Sequence, residues 1–223
     1  MKLKSYQLFL ESDQDIHKIC KEYGIQNYTI NEYGSIDVDG NVDLSNKNLT
    51  RIPLKFRNVS GIFSCRFNQL TSLEGCPKSV GGDFYCSNNQ LTSLEGCPQS
   101  VGGVFRCVNN QLTSLEGCPQ SVGGDFYCFN NQLTSLEGCP QSVGGYFDCQ
   151  NNQLKDFRGF PDFWEGHINF QDNPVQSILD QFPEELWCKA IYWINEYDVI
   201  DEDDNVIEER LDEVKYQLGL INI

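Results

Sequence analysis

The sequence predicts a β-rich solenoid with a parallel sheet, a small α/β N-terminal cap and an α-helical C-terminal cap. Three observations predict it. Eighteen of 21 positions are identical in the consecutive segments 82–102, 103–123 and 124–144. Cysteines at 65, 86, 107, 128 and 149, leucines at 70, 91, 112, 133 and 154, and asparagines at 68, 89, 110, 131, 152 and 173 all step by 21. Each repeat holds only one short alternating run between turn-forming residues. A fixed period of this kind marks stacked units, none of which can bury its apolar side alone.

The register extends in both directions. Leu44 and Phe170 hold the cysteine's place, and Leu49 and Val175 hold the leucine's. About seven coils therefore occupy residues 42–178, with 1–41 as the N-terminal cap and 179–223 as an acidic helical C-terminal cap. Within a coil, Gly-x-Phe-x-Cys alternates with a period of two. That pattern puts Phe84 and Cys86 on one face and Asp83, Tyr85 and Ser87 on the other. Asn-Asn-Gln turns the chain, Leu91 and Leu94 point inward, and Glu-Gly-Cys-Pro makes an outer bend too rich in Gly and Pro for a helix. Gly102-Gly103 is expected to close the coil through backbone angles that residues with a Cβ avoid. Equivalent strands would lie ~4.8 Å apart in the sheet. Asn89 and its equivalents are expected inside, their amides satisfying buried backbone groups from coil to coil. Lys47 takes that place in the first coil, where the stack ends.

The caps follow from helix signals. Ser12-Asp13-Gln14-Asp15 starts a helix that runs to about Tyr23 and stops at Gly24, with Ile16, Ile19 and Cys20 as its apolar stripe. Tyr28-Thr29-Ile30 and residues 35–38 read as a hairpin. Pro183-Glu184-Glu185 opens a helix through Tyr197, and a second helix covers about 206–218 before Gly219. The first carries Leu186, Trp187, Ala190, Ile191 and Ile194 toward the last coil.

Composition bounds the function. The 223 residues carry a formal charge of −16. That charge argues against a direct nucleic-acid or anionic-membrane partner, since both need a basic footprint. Eleven cysteines could mean a disulfide framework, but the number is odd and nine recur with the repeat. The first eleven residues lack the uninterrupted apolar stretch and cleavage site of a secretory signal, and no run of about 20 apolar residues exists for a membrane span. A reducing cytoplasm is the expected location, in a bacterial or phage-infected cell.

Candidate chemistry is sparse. Zinc needs four convergent ligands, whereas the repeat places thiols in rows, with no C-x-x-C and only His17 and His167. Asp201, Asp203, Asn205, Glu209 and Asp212 mimic part of a calcium-loop spacing, but Val206 stands where that loop needs glycine and Asp212 where it needs glutamate. The Gly-Gly pairs read as turns, not phosphate cradles. No nucleophile–base pairing can be argued. The expectation is therefore no catalytic residue, no metal and no cofactor.

Gly-Gly-Asp-Phe-Tyr-Cys-Ser-Asn-Asn-Gln-Leu at 81–91 resembles the leucine-rich repeat, L-x-x-L-x-L-x-x-N-x-L. Thr-Ser-Leu-Glu-Gly-Cys-Pro-Gln-Ser-Val at 92–101 is similar to the outer half of the short bacterial type, with Phe84, Cys86, Leu91, Leu94, Cys97 and Val101 in leucine places. The departures are cysteine for leucine, Glu95 where that type has proline, and glycine before the strand. The resemblance implies a right-handed coil with a concave parallel sheet used for binding and little helix on the convex side. Residues 4–11 look like short leader segments on proteins of large tailed bacteriophages, and near-identical repeats suggest such a genome.

The outward strand positions carry the variation. Outer-bend positions such as Glu95, Gln99 and Ser100 hardly change, whereas Tyr85, Val104, Arg106, Val108, Asp125, Tyr127, Phe129, Tyr146 and Asp148 form an aromatic, Arg-containing set typical of interface hot spots. These nine are the expected partner-binding residues, and another protein is the expected partner. Two alternatives stand beside it. The acidic surface could compete for a nucleic-acid-binding enzyme, with Asp201–Asp204 mattering more than the tyrosines. The patch could instead self-associate into a homodimer.

Overall fold

A computed structural model describes residues 13–161, 163–201, 203 and 205–221. The chain winds into a β-solenoid whose strands fall into two sheets running along the stack. The first sheet has seven strands, one from each successive coil: Val42–Asp43, Phe63–Ser64, Phe84–Tyr85, Phe105–Arg106, Phe126–Tyr127, Phe147–Asp148 and Ile168–Asn169. All its pairings are parallel, in a register of 21 residues from coil to coil. We call it the phenylalanine sheet.

The second sheet is absent from the sequence reading. Ser79–Val80, Ser100–Val101, Ser121–Val122 and Ser142–Val143 pair in parallel, between Phe56–Val59 on one side and Phe163–Trp164 on the other. The hairpin Tyr28–Ile30/Ile36–Val38 extends it, making eight strands and joining the N-terminal cap to the stack.

The core runs along the solenoid axis. Phe63, Phe84, Phe105, Phe126 and Phe147 are fully buried. Their rings stack from coil to coil with centroids 5.2–5.8 Å apart. Leu70, Leu91, Leu112, Leu133 and Leu154, the cysteines at 65, 86, 107, 128 and 149, and the leucines at 73, 94, 115 and 136 fill the rest. Each fully buried phenylalanine or leucine contributes about 1.5–3 kcal/mol, a gain available only where a neighbouring coil covers it.

The asparagine column does what an inward amide can do. Asn110 Nδ2 donates to the carbonyls of Cys86 (3.2 Å) and Cys107 (3.0 Å), and its Oδ1 accepts from the Leu91 N–H (3.1 Å). The same pattern holds for Asn89, Asn131, Asn152 and Asn173. The preceding asparagine of each pair has a separate role. Asn88, Asn109, Asn130 and Asn151 have φ of 52–56°, the left-handed region that asparagine tolerates better than other side chains.

The glycine pairs require a correction. Gly102 and Gly103 do not have positive φ. They are glycine because the corner between the two sheets packs too closely for a side chain. A Cβ on Gly102 would collide with the Gly81 carbonyl oxygen, and one on Gly103 with the Asp83 carboxylate. The same collisions recur at Gly123 with Gly102 and at Gly145 with Asp125.

The caps form where the helix signals put them. Asp13–Glu22 is helical with Ile16 and Cys20 buried, and Gly24 follows at φ 69°. Ser12, the expected helix start, and the leader-like residues 4–11 lie outside the described residues. At the other end a short helix, Gln176–Leu179, leads through a 3-10 turn, Glu184–Leu186, into Trp187–Tyr197 and then Glu208–Gln217. Ala190, Ile194, Leu211 and Val214 are buried there. Phe170 of the stack meets Trp187 at 5.4 Å between ring centroids.

Candidate binding surface

The middle positions of the phenylalanine-sheet strands form one ladder. Ser64, Tyr85, Arg106, Tyr127, Asp148 and Asn169 are successive partners across adjacent strands. Neighbours in such a ladder lie ~4.8 Å apart, so residues 21 apart in sequence touch. The Arg106 guanidinium carbon lies 4.3 Å from the centroid of the Tyr127 ring. Tyr127 meets Phe129 edge-on at 6.2 Å and Tyr146 at 6.0 Å. Tyr85, Val104, Arg106, Asp125, Tyr127, Phe129 and Tyr146 are all partly exposed. These seven of the nine expected residues make one continuous surface.

The other two are corrected by the structure. Val108 is only 4% exposed and Asp148 only 5%. Val108 occupies the column between Ser87 and Phe129. The Asp148 carboxylate turns back to accept from the Gln150 backbone N–H (3.1 Å) and side-chain amide (3.4 Å). Burial holds its carboxyl above the usual carboxylate range. Both belong beneath the surface rather than on it.

The tyrosines are held in place by aspartates of their own strands. Tyr85 Oη donates to Asp83 Oδ2 at 2.6 Å, and Tyr127 Oη to Asp125 Oδ2 at 2.9 Å. The other oxygen of each carboxylate accepts the backbone N–H of the next coil, Val104 or Tyr146, at 2.8 Å. Asp125 therefore serves as a brace for the ring beside it. Burial and then the Asp83 hydrogen bond push the Tyr85 hydroxyl up to about 12, and burial followed by the Asp125 hydrogen bond raises Tyr127. Both rings stay neutral and fixed at ordinary pH, which lowers the entropy lost when a partner covers them.

One surface residue escaped the sequence reading. Phe67 takes the place that asparagine fills in the next four coils, at φ 57°, and is 49% exposed. A bulky side chain in the left-handed region costs about 1–2 kcal/mol. Arg66 lies 5.9 Å from the Phe67 ring centroid and 5.7 Å from that of Tyr85. An alternating run of aromatic and arginine side chains thus links Phe67 to Tyr146. The signal was available: Phe67 is the one apolar residue in a column otherwise filled by asparagine and, at 172, aspartate, and its asparagines at 88, 109, 130 and 151 bond each other at 2.7–3.0 Å.

Other singled-out groups have local roles. Burial raises Cys76, Cys86, Cys97, Cys107, Cys118, Cys128 and Cys149, with Cys97 pushed up to about 12. Such thiols are poor nucleophiles. In the acidic loop, the Asp201 carboxylate accepts from the Asp203 and Asn205 backbone N–H groups at 2.9 and 2.8 Å. Glu202 and Asp204 of that loop lie outside the described residues. Among the described residues no three His, Cys, Asp or Glu side chains converge to hold a metal ion, and no helix is long and apolar enough to cross a membrane.

Comparison with known proteins returns no matching family model, no matching curated sequence and no matching solved structure. The geometry of the chain itself carries the functional argument.

Proposed function

We propose that the chain is a non-enzymatic, protein-binding scaffold of leucine-rich-repeat type, which engages its partner through the outer face of the phenylalanine sheet. The observation that carries this reading is the ladder Tyr85–Arg106–Tyr127, flanked by Phe129 and Tyr146. Tyrosine and arginine dominate interface hot spots, and braced rings are ready for docking. The near-identity of the coils fits a phage gene, and the buried neutral thiols fit a reducing cytoplasm. A phage protein in that setting would act on a host or defence factor.

The experiment is affinity capture from host lysate with the intact chain and with an Arg106→Ala/Tyr127→Ala variant, followed by mass spectrometry. The variant is expected to lose the specific partner while keeping a cooperative thermal transition. Undiminished capture of that partner by the variant would refute the assignment of the face.

A further inference from the structure

Arg106 lies on the central strand of the seven-stranded sheet and is the only lysine or arginine between residues 79 and 154. Among the described residues its guanidinium forms no ion pair. Its Nε is buried and has no hydrogen-bond partner. The acidic side chains of the face are committed elsewhere. Asp83 and Asp125 each divide their oxygens between a tyrosine hydroxyl and a backbone N–H. Asp148 is hydrogen-bonded to Gln150 and acts on Arg106 only through space, without an ion pair. A partly desolvated guanidinium with a buried, unfilled Nε donor and no ion pair is costly, even with the Tyr127 hydroxyl and the Asp148 charge nearby. Stacking on Tyr127 keeps it from swinging freely into water to be solvated.

We propose that Arg106 is the receptor for a carboxylate of the partner protein, an aspartate or glutamate side chain that docks at the central strand between Tyr85 and Tyr127. The inference rests on the reading of this face as the partner's seat, and it names the chemistry that the seat accepts. A carboxylate is planar, and its two oxygens match the guanidinium fork in parallel N–H···O bonds of about 2.7–2.9 Å. It would supply the ion-pair partner that Arg106 lacks among the described residues. The neighbouring rings would keep water from the pair and so strengthen it. The surrounding aspartates oppose any carboxylate that stops short of the guanidinium. That opposition makes the site selective for a side chain that reaches it.

The test uses the full chain labelled with 15N and follows the Nε–Hε resonance of Arg106, assigned by its disappearance in Arg106→Lys. The probes are N-acetylglutamate amide, N-acetylglutamine amide and inorganic phosphate. The glutamate probe is expected to shift the resonance saturably, at least about tenfold more tightly than its neutral isostere. In Arg106→Lys the backbone amide spectrum should persist while the glutamate-induced change at the Tyr127 ring is lost. An equal response to glutamate and glutamine, the absence of a saturable response to glutamate, or a stronger response to phosphate overturns the proposal. If the titration fails while Arg106→Ala/Tyr127→Ala still loses its captured partner, only the carboxylate is wrong; if both fail, the face is.

Discussion

Replacing Asn110 with leucine is expected to destabilise the solenoid by about 3–6 kcal/mol. Leucine is close to asparagine in size, so the change removes hydrogen bonds without opening a large cavity. The carbonyls of Cys86 and Cys107 and the N–H of Leu91 all lose the partner that Asn110 supplies. Each lies inside the coil, and an unpaired buried backbone group costs about 1–3 kcal/mol. Because Asn110 sits in the middle of the stack, the loss weakens the contact with the preceding coil as well as its own turn. In a chain of this length the melting temperature should fall by roughly 10–20 °C. Gln111→Ala, one position along and exposed, should change it little. A shift of less than about 2 °C for Asn110→Leu, well below that scaling, would remove the asparagine column from the account of stability.

Raising the pH should unfold the protein well below the point at which its folded thiols ionise. Seven repeat cysteines, at 76, 86, 97, 107, 118, 128 and 149, are raised by burial above the free-thiol value of 9.0. A group whose folded pKa is raised contributes stability that is complete below the unfolded pKa and is lost as the pH climbs toward the folded one. Between pH 9 and 10 the unfolded chain loses thiol protons that the folded chain retains, so the unfolded state gains. Each such thiol removes about 1 kcal/mol across that interval, and the slope approaches about 1.4 kcal/mol per pH unit above it. Seven acting together are comparable to the whole stability of a typical domain, about 5–15 kcal/mol. Tyr85 adds to the trend above pH 10, since burial and its hydrogen bond hold it at about 12. Thermal melts in reducing buffer should therefore be level between pH 7 and about 8.5 and fall steeply beyond 9, the window set by these thiols. A melting temperature unchanged through pH 10.5, in the presence of reductant, would contradict the burial of the cysteine rows.

Much of the fold was legible because the repeat makes each inference five or six times over. The alternation Phe84–Tyr85–Cys86 gave the inward and outward faces, and the inward asparagine followed from the need to satisfy buried backbone. The second sheet was not legible. Ser100–Val101 is two residues long between Pro98 and Gly102, too short for any alternation to register. Stacking makes it a strand. The role of Gly102 and Gly103 is hidden from the sequence for a related reason. Closeness to Gly81 and Asp83 is a contact between coils, whereas the sequence suggested only a local backbone angle.

The candidate surface divides in the same way. Columns of equivalent residues were readable from spacing, and the structure brings Tyr85, Arg106, Tyr127, Phe129 and Tyr146 together. Depth was not readable. Val108 and Asp148 sit in outward columns yet are buried, because the neighbouring coils cover them. The brace that Asp125 provides for Tyr127 depends on a side-chain rotation that spacing does not encode. Phe67 lies in the turn after the strand, where the inward–outward alternation no longer applies.

Hydroxyl-radical footprinting of the captured complex tests the central claim most directly. Protection should concentrate on Phe67, Tyr85, Tyr127, Phe129 and Tyr146, with the outer-bend segments around Glu95, Glu116 and Glu137 reacting as in the free chain. Protection of those bends, or of the serine–valine sheet, with the tyrosines still fully reactive would contradict it.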